Sequence, residues 1–135
     1  METGVEKRGH VLIVDDDSLT RESLAYLLEA AGYEVACAAD GLDALNYLRR
    51  SPRPNLILVD LMMPKMNGWV FRMQQQMDPK LADIPTVIVS GKADAASAAT
   101  YLDAAGHIEK PMDAERLFHL LRQHCRNGSE GSCPA

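Results

Sequence analysis

The chain has 135 residues, 47% of them apolar, and a net charge of −5. That length sets a single domain and that composition a packed core rather than a disordered chain. The acid excess argues against direct nucleic-acid binding, which lives on clustered Lys and Arg, and no apolar stretch nears the roughly 20 residues of a membrane span.

Residues 1–8 lack the apolar centre of a signal peptide and read as a flexible N-terminus. Val11 to Val14 is a short continuous apolar run, as suits a strand covered on both faces. Ser18 is placed to cap a helix carrying Leu24, Leu27 and Leu28 to Ala31, and Gly32 stops it. Tyr33 to Ala38 reads as a second strand. Asp40 caps a second helix with Leu42, Leu45 and Leu48, which ends before Pro52 and Pro54; Arg49, Arg50 and Arg53 read as its solvated end. Leu56 to Val59 is the third strand. A loop follows, and Asn67 caps the third helix. Pro85 to Val89 is the fourth strand, closed by Ser90-Gly91. Asp94 opens an Ala-rich fourth helix that stops near Gly106, and His107-Ile108-Glu109 is a brief fifth strand. Asp113 caps a last helix with Leu117, Phe118, Leu121 and Cys125 on one stripe. Leu120, off that stripe, is a candidate for a partner-binding face. Residues 127–135 read as a disordered tail, so the domain spans 9–126.

Cys37, Cys125 and Cys133 are far apart and lack metal-ligand spacing. Cys37 is expected buried in a strand and Cys133 exposed on the tail, and all three fit a reducing cytoplasm. His119 and His124, five apart, do not share a helix face, so no metal site is expected there.

Five strand–helix alternations with short loops imply an α/β fold, a parallel sheet with helices on both faces. In the flavodoxin-like strand order 2-1-3-4-5, a (βα)5 three-layer sandwich, ligands bind beyond the strand ends at the switch point between strands one and three. Those strands end in Asp15-Asp16-Asp17 and in Asp60. Carboxylates gathered there disfavour one another's ionisation. The usual remedy is a hard cation, and Mg2+ fits where only two or three protein groups are offered. Ser90 and Lys110, at the ends of strands four and five, add a hydroxyl and an ammonium.

Val-Asp-Asp-Asp at 14–17, Val-Asp-Leu-Met-Met-Pro at 59–64, Val-Ser-Gly at 89–91 and Lys-Pro at 110–111, in this order and spacing, resemble the receiver domain of two-component response regulators. The resemblance covers about His10 to Cys125. It implies that Asp60 is the phosphorylated aspartate and that Asp15 and Asp16 hold Mg2+, with Asp16 the direct ligand. It implies that Met62 offers its backbone carbonyl to the metal, that Ser90 is the switch hydroxyl and that Lys110 contacts the phosphoryl group. Met62 and Lys92 match positions that tune hydrolysis. The Lys110-Pro111 bond matches one that is cis in the family, which would aim Lys110 into the pocket. His107 matches the aromatic switch position, where the family has Tyr or Phe, and the stretch Leu102 to Gly106 is one residue shorter than usual. Histidine is the side chain whose charge responds to pH changes in the physiological range, so a pH-sensitive output is expected.

The resemblance further implies a phosphoryl donor, a histidine kinase or phosphotransfer protein, and an output protein bound by helix four, strand five and helix five. With only nine residues after Arg126, a stand-alone cytoplasmic receiver is expected, monomeric or weakly dimeric. It would not be a classified enzyme, although it catalyses its own phosphorylation and dephosphorylation. Two alternatives stand beside it. Asp15 and Asp17 form an Asp-x-Asp that loosely resembles the haloacid dehalogenase phosphatases, with Asp15 as the nucleophile. A pseudo-receiver would keep the fold and bind partners without phosphorylation.

Overall fold

Three apolar runs become the buried centre of one sheet. In the computed structural model, which describes residues 8–91 and 95–130 with side chains through 125, β1 (His10–Val14), β3 (Leu56–Asp60) and β4 (Thr86–Ser90) are almost wholly buried. β2 (Glu34–Ala38) and β5 (Gly106–Glu109) form the edges. All neighbours pair in parallel, in the order β2-β1-β3-β4-β5. Lys92, Asp94, Cys133 and the first seven residues lie outside the described residues, so the expectations placed on them are not addressed.

Alternate strand residues point to opposite faces, and the core divides accordingly. Val11, Ile13, Leu56, Leu58, Val87, Val89 and Ile108 pack beneath α1 (Ser18–Ala30) and α5 (Ala114–Glu130), against Leu24, Leu28, Leu117 and Leu121. Leu12, Val14, Ile57, Val59 and Ile88 face α2 (Gly41–Arg50), α3 (Gly68–Met77) and α4 (Ala95–Tyr101), against Leu45, Leu48, Phe71, Ala98 and Leu102.

The helix starts follow their caps. Asp40 accepts from the Asp43 N–H at 2.9 Å, Asn67 from the Val70 N–H at 3.0 Å, and Asp113 from the Glu115 N–H at 3.0 Å. α1 differs by one residue from expectation: Asp17 is its N-cap, Ser18 is already helical, and the Asp17 carboxylate accepts from the Thr20 hydroxyl instead. α4 ends at Tyr101 rather than near Gly106. Asp103 takes a left-handed φ of 53°, and the Ala104 N–H turns back to the Ala99 carbonyl at 2.8 Å, a C-terminal stop built without glycine. α5 continues to Glu130, beyond the boundary at 126.

Three side-chain expectations are corrected. Cys37 is exposed, because β2 is an edge strand that the helices cover incompletely. Leu120 is buried and belongs to the α5 core; a methyl group at Gly106 would come within 3.1 Å of its Cδ2, so it is no part of an outward face. Leu27 and Leu42, expected on the inner stripes of their helices, lie at the rim and are exposed.

Behind β4 lies a buried polar network. Arg72 donates to the carbonyls of Leu102 (3.0 Å) and Asp103 (2.6 Å) and to the Gln75 side-chain oxygen (2.9 Å). Gln75 donates in turn to the carbonyls of Leu81 (2.9 Å) and Ile84 (3.1 Å) and accepts from the Thr86 hydroxyl (3.0 Å). Among the described residues, no helix is long and apolar enough to cross a membrane.

Candidate functional site: an acidic cluster at the strand ends

The sheet register decides what meets at its C-terminal edge. Val14 lies opposite Val59, so Asp15 and Asp60 leave the ends of adjacent strands. Asp60 pairs with Val89 and Ser90 with Glu109, which sets Ser90 and Lys110 one step further along the same edge. Asp15, Asp16 and Asp60 each bring a carboxylate oxygen within 4.8 Å of the others, a grouping that could hold a metal ion. Asp15 and Asp60 are buried, whereas Asp16 is exposed and leaves the cluster open to solvent.

The cluster is tied down from several sides. The Asp15 N–H donates to the Ala38 carbonyl at 3.1 Å, and its Oδ1 accepts from the Asp17 N–H at 2.9 Å. Asp60 Oδ1 accepts from the Met62 N–H at 3.3 Å. Lys110 Nζ stands 3.3 Å from both Asp15 Oδ2 and Asp60 Oδ2, joining β5 to the acids across the sheet. The Lys110-Pro111 bond is cis, and the Lys110 N–H donates to the Ser90 carbonyl at 2.8 Å. Ser90 itself is buried at the end of β4. Among the described residues, a side chain at Gly91 would meet nothing closer than Lys110 Cβ at 3.9 Å.

The loop from Leu61 to Asn67 hangs on backbone contacts. The Gly68 N–H closes it on the Leu61 carbonyl (3.0 Å), the Gly41 N–H holds the Met66 carbonyl (2.9 Å), and Lys65 makes the turn at φ 63°. The start of α3 presses so closely on β3 that a methyl group at Gly68 would lie 2.5 Å from the Asp60 carbonyl oxygen. Met62 projects into solvent, 69% exposed, so only its backbone faces the cluster.

Burial is the main cause lifting the Asp60 carboxyl above its ordinary pKa; the Asp15 charge adds to it, while Lys110 and the Met62 N–H pull the other way. For Lys110, burial acts most strongly and against the charged form. The charges and hydrogen bonds of Asp60 and Asp15 outweigh it, and the ammonium is held above its ordinary value. The pocket thus holds an acid reluctant to ionise beside a base that stays charged.

The family model described as the response regulator receiver domain matches residues 11–122. The chain belongs to the response regulator receiver domain family. It is 32% identical over 124 residues to "Probable transcriptional regulator ycf27" of Porphyridium aerugineum, covering 90% of this chain and 50% of the relative. It is 31% identical over 126 residues to "Response regulator MprA" of Mycobacterium sp. (strain KMS), covering 92% and 54%. The chain therefore spans about half the length of the curated relatives it matches. Among solved structures it is similar to a putative response regulator from Chloroflexus aurantiacus (TM-score 0.80, 27% identity, 87% of this chain and 97% of that one). It is also similar to the chemotaxis protein CheY4 of Vibrio cholerae (TM-score 0.76, 29% identity, 85% and 97%). Both the receiver resemblance and the strand order 2-1-3-4-5 are thereby borne out.

The residues singled out in sequence fall into two groups. Asp15, Asp16, Asp60 and Lys110 converge on the receiver's acidic cluster, with the Met62 backbone beside them and Ser90 at the next strand end. His107 lies apart from them, half-buried on β5, with its carbonyl gripped by Arg116 at 3.0 Å and 3.2 Å. One side chain at the cluster was missed: Arg21 of α1, whose Nη1 donates to the Asp15 carbonyl at 2.7 Å. Its signal in the sequence is a cation four residues after an acidic run, at the helix end that disfavours positive charge.

Proposed function

We propose that this receiver accepts a phosphoryl group on Asp60 from the phosphohistidine of a kinase or phosphotransfer protein, in a Mg2+-dependent step, and that the phosphorylated form docks an output protein. The convergence of Asp15, Asp16 and Asp60 within 4.8 Å, with Lys110 Nζ 3.3 Å from the buried pair, carries this reading. The donor set suits Mg2+: oxygen ligands alone, few in number, with one exposed acid leaving room for water. Asp15, Asp16, Asp60 and the Met62 carbonyl would hold it. Bound there, the ion neutralises the acids and stabilises charge on the transferring group.

The protein's own groups account for the rest. A P–O bond to an Asp60 oxygen forms as the P–N bond of the donor breaks, and the imidazole leaves with the electron pair. Lys110 keeps a fixed positive charge beside the phosphoryl oxygens. Ser90 supplies the hydroxyl that turns toward the new phosphate and draws the loop after β4 with it, a local charge change read out by a two-state surface. A cleft of about 350 Å3 between α4 and β5, lined by Ala96, Ala99, Thr100 and His107, offers space in which the ring at 107 can move. Lys92 would tune the lifetime of the phosphate together with Met62.

Intact-mass spectrometry after incubation with a small acyl phosphate and Mg2+ tests the proposal. A Mg2+-dependent adduct, absent in Asp60→Ala, is the expected result. An adduct that survives in Asp60→Ala would move the nucleophile to Asp15 and favour a phosphatase-like chemistry. No adduct on the wild-type chain would leave a phosphate-independent binding module.

A further inference from the structure

Arg21 occupies the fourth residue of α1. A cation near a helix N-terminus opposes the macrodipole, so its presence there needs a compensating contact. Helical side chains lean back toward the N-terminus, and Arg21 follows that direction to reach the Asp15 carbonyl at 2.7 Å. This bond completes the restraint of Asp15. The N–H is held by the Ala38 carbonyl, Oδ1 by the Asp17 N–H and Oδ2 by Lys110. The carbonyl held by Arg21 belongs to the peptide joining Asp15 to Asp16. Its tilt sets where the exposed Asp16 carboxylate points, and Asp16 makes no hydrogen bond among the described residues that would orient it otherwise.

We infer that Arg21 is a positioning residue for the divalent-cation site: by gripping the Asp15–Asp16 peptide from α1, it holds the acid pair in register with Asp60. The inference rests on the reading of the cluster as a Mg2+ site. It also has a sign that a simple charge effect lacks. Acting only as a nearby charge, Arg21 would repel Mg2+, and its removal would tighten binding. Acting as a positioning group, its removal loosens binding, as loss of an outer-shell partner of a metal site does.

The experiment is a MgCl2 titration of the full 15N-labelled chain, following amide shifts at Asp16, Asp17 and Met62, for wild type, Arg21→Met and Arg21→Lys. Arg21→Met is expected to raise the Mg2+ Kd by about tenfold, the low end for outer-shell substitutions. Arg21→Lys keeps the charge but loses the planar fork; it is expected to weaken binding by a smaller factor and carries the test alone if Arg21→Met misfolds. Binding by either folded variant as tight as wild type, or tighter, overturns the positioning role. A wild-type chain that does not bind Mg2+ overturns the cation-site reading itself, a result distinct from the failure of Arg21.

Discussion

At the scale of single residues, contact decides which positions tolerate change. Gly68 sits where a Cβ would strike the Asp60 carbonyl at 2.5 Å and Leu61 Cα at 2.8 Å, both backbone atoms that cannot swing aside. Gly68→Ala should destabilise the fold by about 3 kcal/mol, the upper end for overpacking, measured by urea unfolding; a change under about 0.5 kcal/mol would show that α3 slides freely on β3. The cysteines separate by burial. Burial pushes the Cys125 thiol up to about 12, whereas Cys37 is exposed. In a Cys133→Ser background, a thiol reagent at neutral pH should label Cys37 alone in the native chain and both thiols once it is denatured. Native labelling of Cys125 would mean that α5 opens readily. Asp15, Asp16 and Asp60 were legible in sequence because they follow apolar runs, and Lys110 because its Lys-Pro motif follows the last strand; the register of a parallel sheet brings such ends together. Arg21 was not, because its role runs through a backbone carbonyl six residues upstream; the sequence flags only a cation out of place at a helix start, not its partner.

At the scale of elements, α3 shows where hydropathy misleads. It exposes Val70, Met73 and Met77 and buries Arg72 and Gln75, the reverse of an amphipathic reading. The reason is chemical: the loop before β4 and the short α4 end in carbonyls that need donors, and Arg72 and Gln75 supply them. Arg72→Ala removes the donor to the Asp103 carbonyl, leaves the Leu102 carbonyl to the Gln76 side chain alone and opens a cavity, a loss of about 3 kcal/mol. The triple variant Arg72→Leu, Gln75→Leu, Thr86→Val also strips the Ile84 carbonyl of its side-chain donors, so it should cost more than Arg72→Ala even though it refills the volume. Both variants should speed amide exchange at Leu102–Ala104, which the Arg72 contacts anchor. Unchanged exchange there in both variants would show that α4 holds its own end. The helix starts were legible from Asp40, Asn67 and Asp113, but α1 slipped by one because Asp17 and Ser18 are both good capping residues and only the Thr20 hydroxyl on Asp17 distinguishes them. The α4 stop at Asp103 was hidden because it is made by a left-handed non-glycine residue.

At the scale of the molecule, two cores share one sheet. Ile57 and Leu58 are neighbours in β3, both buried, yet Ile57 packs toward α3 and Leu58 toward α1 and α5. Ile57→Ala and Leu58→Ala should each cost about 2–5 kcal/mol and each shift a single unfolding transition with its denaturant slope unchanged. A second transition in either variant would mean that the layers come apart independently. The parallel architecture was legible because the central strands are apolar throughout, with no polar face to suggest solvent on one side. The edges were less so, and the exposure of Cys37 follows from the same topology that makes β2 the last strand.

The bond from Lys110 to Asp15 joins residues 95 apart in the chain, and it lies at the end of the sheet where the strands terminate. The loop at 51–53, exposed apart from the half-buried Ser51, enters β3 from the other end. The molecule therefore has a working end and a handling end. A flexible insertion between Pro52 and Arg53, carrying a fluorophore or a small folded reporter, should leave the Asp60 adduct unchanged in mass spectrometry. The same insertion between Lys65 and Met66 should abolish it, because it unseats the loop that Gly41 and Gly68 clamp. Chemistry assembled at one end leaves the opposite end available as an attachment point for instruments and partners alike.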